Sequence, residues 1–72
     1  MKIKDLLRFH AFIGAEFINY ITYEEIISDD FEFEDIVRIE NVEKIEYIGK
    51  EKFACLHRWL RVYVMPKGAD EG

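Results

Sequence analysis

Cysteine, proline and glycine are scarce in this 72-residue chain, at one, one and four copies. A single cysteine, Cys55, excludes an internal disulfide. With only His10 and His57 beside it, the soft ligands fall short of a four-ligand structural metal site. Two of the four glycines, Gly68 and Gly72, fall at the C-terminal end, so no glycine-rich loop is available to cradle a phosphate or supply an oxyanion site. No apolar run approaches the length that spans a bilayer, and the opening MKIKDLLRFH is charged where a secretory leader would be apolar. These features fit a cytoplasmic protein that neither enters a membrane nor carries structural disulfides.

Lysine and arginine are absent from Phe9 through Val37, a stretch that holds eight acids: Glu16, Glu24, Glu25, Asp29, Asp30, Glu32, Glu34 and Asp35. Residues 1–37 carry a formal charge of −6 and residues 38–72 one of +1, giving the total of −5. One acidic surface and one balanced surface follow, a difference that governs partner choice and association rate more than fold. An acidic pI, about 4.9, argues against direct binding to nucleic acid backbones.

What the chain has is apolar content: half its residues are hydrophobic and 15% are aromatic. A domain of this size buries a limited fraction of its surface and usually needs help to stay folded. With disulfide and metal set aside, self-association is the remaining device, and a homodimer or larger homo-oligomer is expected.

Ile3, Leu6, Leu7 and His10 recur at helical spacing and Gly14 is a natural stop, which predicts a helix over residues 4–13 with His10 packed on its apolar stripe. FINYITY, residues 17–23, is aromatic and β-branched and predicts a strand. EEIISDD, residues 24–30, predicts a turn in which Ser28, Asp29 and Asp30 bond the local backbone. FEFEDI alternates and predicts a strand over 30–35. A third strand near 42–48 turns at Gly49 and Lys50 into a long fourth, which Pro66 ends. The expected fold class is α+β: a short N-terminal helix packed on a four-stranded antiparallel sheet of two hairpins. Residues 1–66 form one domain and 67–72 a disordered tail. Leu6, Leu7, Ile21, Phe31, Phe33, Ile45, Leu60, Val62 and Val64 are the expected core.

The order MKIKDLL, a hairpin ending in FEFEDI, then VEKIEYIGKEKFACLHRWLRVYV resembles a loose set of small proteins encoded by phages and prophages of Gram-positive bacteria. The resemblance covers residues 1–65 and is one of layout. It implies an accessory role in the bacterial host's cytoplasm, such as interference with a host defence system. It carries no catalytic or binding residue across.

Two groups of residues carry the candidate chemistry. The first is Glu24, Glu25, Asp29, Asp30, Glu32 and Glu34, which could dock on a host protein with a basic surface. The alternatives are a solvated face that protects a strand edge, and a calcium loop, for which the EF-hand spacing and glycine are missing. The second is the outward parity of the last strand: Cys55, His57, Trp59, Arg61 and Tyr63. Tryptophan, tyrosine and arginine dominate binding hot spots, so this face could join two copies, with Tyr47 or Ile48 beside it. It could instead stack a nucleotide between subunits, with Arg58 or Arg61 on the phosphate, or it could be a second side of the core covered by Phe9, Phe12 and residues 36–41. Cys55 and His57 lie two apart on one strand, yet no orienting group or oxyanion site accompanies them, and no cleft separates the acids into acid–base pairs. The expected function is therefore a noncatalytic binding protein without a cofactor, an inhibitor acting through its acidic surface. The alternatives are an oligomeric nucleotide-sequestering protein or an accessory protein that only associates with itself.

Overall fold

A computed structural model describes residues 1–49 and 53–68. Helix is confined to one turn, α1 (Ile3–Leu6), followed by a 3₁₀ turn at His10–Phe12. The strands are β1 (Glu16–Asn19), β2 (Phe33–Ile48) and β3 (Phe53–Pro66), in the order β1-β3-β2, with a loop over residues 20–32. β1 runs parallel to β3, and β2 antiparallel to it. The four-stranded antiparallel sheet of two hairpins is thereby corrected to a three-stranded mixed sheet.

Each departure has a local cause. Asp5 accepts the Lys2 amide at 3.1 Å and starts α1, but the amides of Ile3 and Lys4 bond outward to the carbonyls of Phe31 and Asp29. The N-terminal segment is thus tied to the chain entering β2, and the helix ends after one turn instead of running to Ile13. His10 is exposed on the 3₁₀ turn and not packed. Gly14, expected as a helix stop, takes a positive φ of 77° at the entry to β1. FINYITY gives a strand only as far as Asn19, because the Asn19 Oδ1 accepts the amides of Ile21 and Thr22 and turns the chain.

Residues 30–35 and 42–48 do not form separate strands. Residues 36–41 continue between them, and β2 is sixteen residues long. Register shifts between Phe33 and Asp35 and between Ile36 and Arg38 carry the strand through its bends.

The core lies on the face of β3 that holds Leu60, Val62 and Val64. Ile3, Leu6, Phe17 and Phe33 close over Val62 and Val64, with Phe12, Ile26, Phe31, Ile36 and Leu60 around them. Leu7, Ile21 and Ile45, expected in the core, are exposed. Lys67 and Gly68 are held, not loose: the Lys67 amide bonds the Glu32 carbonyl at 3.3 Å and the Gly68 amide the Glu34 carboxylate at 3.2 Å. The remainder of the expected tail, residues 69–72, and Lys50 of the expected hairpin turn lie outside the described residues.

These contacts divide the molecule into a head and an arm. Along β3, β1 pairs with residues 61–64, so the other half of β3 and its partner in β2 project as a two-stranded ribbon. The molecule extends 54 × 25 × 18 Å. A lone ribbon of two strands is marginal in water.

Candidate binding surfaces

The acidic run divides into spent and unspent charges. Asp30 is paired with Lys4 at 3.1 Å and Glu32 with Lys67 at 3.2 Å, while Glu34 accepts the Gly68 amide. Glu32 precedes β2 and bridges Lys2, so Glu32 and Glu34, expected among the docking acids, instead clamp both ends of the head. Among the described residues, Glu24, Glu25 and Asp29 form no ion pair.

Those three acids sit on a loop that the sequence presents as a simple turn but that is built from several side-chain bonds. Asn19 Oδ1 accepts Ile21 N–H at 2.9 Å and Thr22 N–H at 3.3 Å. The Asn19 carbonyl accepts Tyr23 N–H at 2.7 Å, and the Asn19 amide donates to Glu24 O at 2.9 Å. Thr22 Oγ1 and Ser28 Oγ accept the amides of Glu24 and Asp30. Ile26 N–H returns to Phe17 O at 2.8 Å, and Glu25 bridges Ile18, laying the loop along the free edge of β1. Tyr23 holds a φ of 60°, a conformation costly for a bulky side chain. This scaffold displays Ile27 at 92% exposure, with Ile21 and Tyr23 also exposed, among the unpaired acids. An apolar anchor inside a charged rim has the anatomy of a protein-binding patch. Ile27 and Tyr23 were not singled out from sequence. The available signal was two consecutive isoleucines inside a run otherwise acidic and polar.

On β3, Trp59, Arg61 and Tyr63 do share the face opposite the core, but much of that face is occupied by the chain itself. Glu16 Oε2 accepts Arg61 Nε at 2.9 Å and Trp59 Nε1 at 3.2 Å. The Arg61 guanidinium, and secondarily the Trp59 indole, hold the Glu16 carboxyl below its ordinary pKa. Tyr63 is buried: Arg38 lies 4.4 Å from its ring centroid, Tyr23 meets it edge-on, and its hydroxyl donates to Glu40 at 3.2 Å. Phe9 and Phe12 take no part in covering this face, since Phe9 is exposed and Phe12 packs on the core side. Trp59 pairs with Val42 and Tyr63 with Arg38, so Tyr47 and Ile48 lie far along the arm from them. Arg58 is bound to Glu43 at 3.2 Å. Both arginines suggested for a phosphate therefore already face carboxylates, which weakens the sequestration alternative.

His57 Nε2 lies 3.1 Å from Glu46 Oε2, and Cys55 is exposed on the same face. Among the described residues no three histidine, cysteine or acidic side chains gather into a metal-binding group. No helix of the described residues is long and apolar enough to cross a membrane.

The arm supplies a further surface. Paired residues of antiparallel strands share a face, so Ile39, Ile45, Tyr47, Ala54 and Leu56 continue the core face outward, while Val42, Ile48 and Phe53 share the face of Trp59. Ile45, Ile48, Phe53, Leu56 and Tyr47 are all exposed.

Compared with family models, curated proteins and solved structures, the chain matches none.

Proposed function

We propose that this is a noncatalytic, self-associating binding protein that docks on a basic protein surface through the loop Ile21–Asp30. Its working context is that of a phage accessory protein inhibiting a host protein. The observation that carries this reading is the pre-ordered display of Ile27 among Glu24, Glu25 and Asp29. The side-chain bonds from Asn19, Thr22 and Ser28 fix the loop before a partner arrives, which lowers the entropy lost on binding. The acids would steer a basic partner and Ile27 would fill an apolar depression within it, so the complex should form fast at low salt and more slowly as salt rises.

The test compares the full chain with two variants, Glu24→Gln/Glu25→Gln/Asp29→Asn and Ile27→Ala, as baits in extract from a Gram-positive host at two salt concentrations. A host protein retained by the wild type, lost with either variant and weakened by salt supports the reading. Retention indifferent to both variants overturns it. Titration of Trp59 fluorescence with nucleotides addresses the sequestration alternative, and quenching without a protein partner would favour that class instead.

A further inference from the structure

β2 is an edge strand, last in the order β1-β3-β2. Among the described residues, its outer side finds backbone partners only at its start. Phe33 N–H donates to Met1 O at 2.8 Å, the Met1 amino group donates to Phe33 O at 3.1 Å, and Lys2 bridges Glu32. The opposite edge of the sheet, on β1, is covered by the loop, through the bonds of Asn19 with Glu24 and of Ile26 with Phe17. The regular part of the open edge begins at Arg38, past the last register shift, and runs to Ile48. Such an edge is a template for pairing with another strand.

We infer that two copies of the chain join along this edge, β2 against β2, antiparallel about a two-fold axis through Val42. Backbone parity limits the choice of register. Successive residues of β2 turn their N–H and C=O alternately toward β3 and away from it. Two outer edges therefore bond only where residues of like parity lie opposite, so the axis must pass through a residue. With the axis at Val42, Arg38 lies opposite Glu46 of the second copy and Glu40 opposite its Lys44, and the symmetry repeats both pairs. Opposite residues share a sheet face, so these ion pairs gather on the Trp59 face, while Ile39 meets Ile45 of the second copy on the core face.

Neighbouring registers fail on charge. An axis at Asn41 sets Arg38 against Lys44, one at Glu43 sets Glu40 against Glu46, and an axis at Glu40 or Lys44 sets that charge against itself. Axes nearer either end shorten the ladder. The outer edge of β3 beyond β1, from Phe53 to Leu60, holds no acid and offers no such pairing.

The charges are available. Lys44 forms no ion pair among the described residues. Arg38 and Glu40 meet at 3.0 Å with side chains 53% and 37% exposed, and Glu46 lies 3.1 Å from His57. Exposed pairs of this kind hold little energy, and each carboxylate can accept a second donor. Scattered charges would be enough to guard an edge. An order complementary to its own reverse is what an isologous contact requires. The ladder from Arg38 to Glu46 adds about eight to ten backbone hydrogen bonds and makes one continuous sheet.

This inference rests on the self-associating part of the function proposed above. It moves the contact from the Trp59–Tyr63 face, which Glu16, Arg38 and Tyr23 already occupy, to a strand edge. The loop Ile21–Asp30 stays at the two outer edges of the joined sheet, free for another partner.

The experiment is light scattering of the full chain across a concentration series. Wild type is expected to reach twice the 8.6 kDa of one chain. Glu40→Lys and Lys44→Glu each set like charges face to face in a pair of identical chains, and each should weaken the dimer by about tenfold or more. An equimolar mixture of the two restores opposite charges at both sites and should associate as tightly as wild type. Val42→Cys in a Cys55→Ser background checks the axis with every charge intact. Oxidation should join two such chains, because facing residues of antiparallel strands lie within disulfide reach. Ile39→Cys in the same background lies about 20 Å along the strands from its own copy and should not cross-link. Since Glu40 also accepts the Tyr63 hydroxyl, the cysteine result decides if Glu40→Lys disturbs the head. Wild type at 8.6 kDa at every concentration overturns both this interface and the self-associating reading. With a wild-type dimer in hand, three results overturn this interface alone: charge variants that associate as tightly as wild type, a mixture of folded variants no tighter than its components, or a Val42→Cys chain that cross-links no more than Ile39→Cys.

Discussion

Glu16 and Arg61 stand opposite each other in the parallel register of β1 and β3, and their side chains meet at 2.9 Å on the face away from the core. The pair ties the shortest strand to the longest ladder, and Trp59 shares the same carboxylate oxygen. Its pH dependence follows from the sign of the shift. Arg61 lowers the folded-state pKa of Glu16, so its contribution is present above the unfolded carboxyl pKa of about 4.3 and is lost as pH falls through the lower folded value. Thermal melts of wild type and Glu16→Gln should differ by a few degrees at pH 6, with wild type the more stable. The gap should close as both are taken toward pH 3. A gap that widens in acid would refute the assignment.

Phe33 is 2% exposed and closes the core over Val64 and Leu6 at the point where β2 begins. Removing its ring leaves a cavity that the small head cannot collapse to fill. Phe33→Ala is expected to cost about 3–5 kcal/mol, which is comparable to the whole stability of a domain this size. Urea denaturation should show the variant largely unfolded before denaturant is added, whereas Ile45→Ala, at an exposed arm position, should keep the head's transition.

At Gly14 an added Cβ would meet nothing within 4 Å, yet the φ of 77° is one that L-residues resist. Gly14→Ala should therefore destabilise through the backbone alone, by about 1–2 kcal/mol. A D-alanine placed there by synthesis should restore or exceed wild-type stability, because the mirror-image residue favours positive φ and loses less entropy than glycine on folding. Equal melting of the L- and D-alanine chains would contradict this explanation.

The β3 parity was legible because WLRVYV alternates without interruption, and the burial of Val62 and Val64 against Trp59 and Arg61 follows it. The continuity of β2 through residues 36–41, between the strands expected over 30–35 and 42–48, was not, for a physical reason. Five of its apolar residues, Ile36, Ile39, Val42, Ile45 and Ile48, recur every third position, which matches neither a one-faced strand nor a helix. The spacing alternates them between the two faces of the ribbon, with the shift after Ile36 adjusting the phase. A strand that is apolar on both sides has no hydrophobic period to detect. The parallel placement of β1 was equally hidden, since it depends on Asn19 folding the loop back along the outer edge of β1 and on the N-terminal turn binding Phe31 and Asp29. Of the acidic run, only composition was legible. Which acids are spent on Lys4, Lys67 and Gly68 is a tertiary fact.

Asn19 offers the sharpest separation of stability from recognition. Its side-chain oxygen takes two loop amides that would otherwise have only water, while its backbone remains in the β1 ladder regardless of side chain. Asn19→Ala is expected to cost about 1 kcal/mol of global stability, a modest effect because both amides are exposed. The loop itself should loosen far more than the core. Hydrogen exchange of the Ile21 and Thr22 amides should accelerate by about tenfold or more, since local opening no longer breaks those bonds, while Val62 and Val64 keep their protection to within the global loss. Binding through Ile27 should weaken mainly by slower association or faster release of an unordered loop, with Glu24, Glu25 and Asp29 still present. Uniform acceleration across loop and core would mean that Asn19 stabilises the whole head and does not specifically pre-order the docking loop.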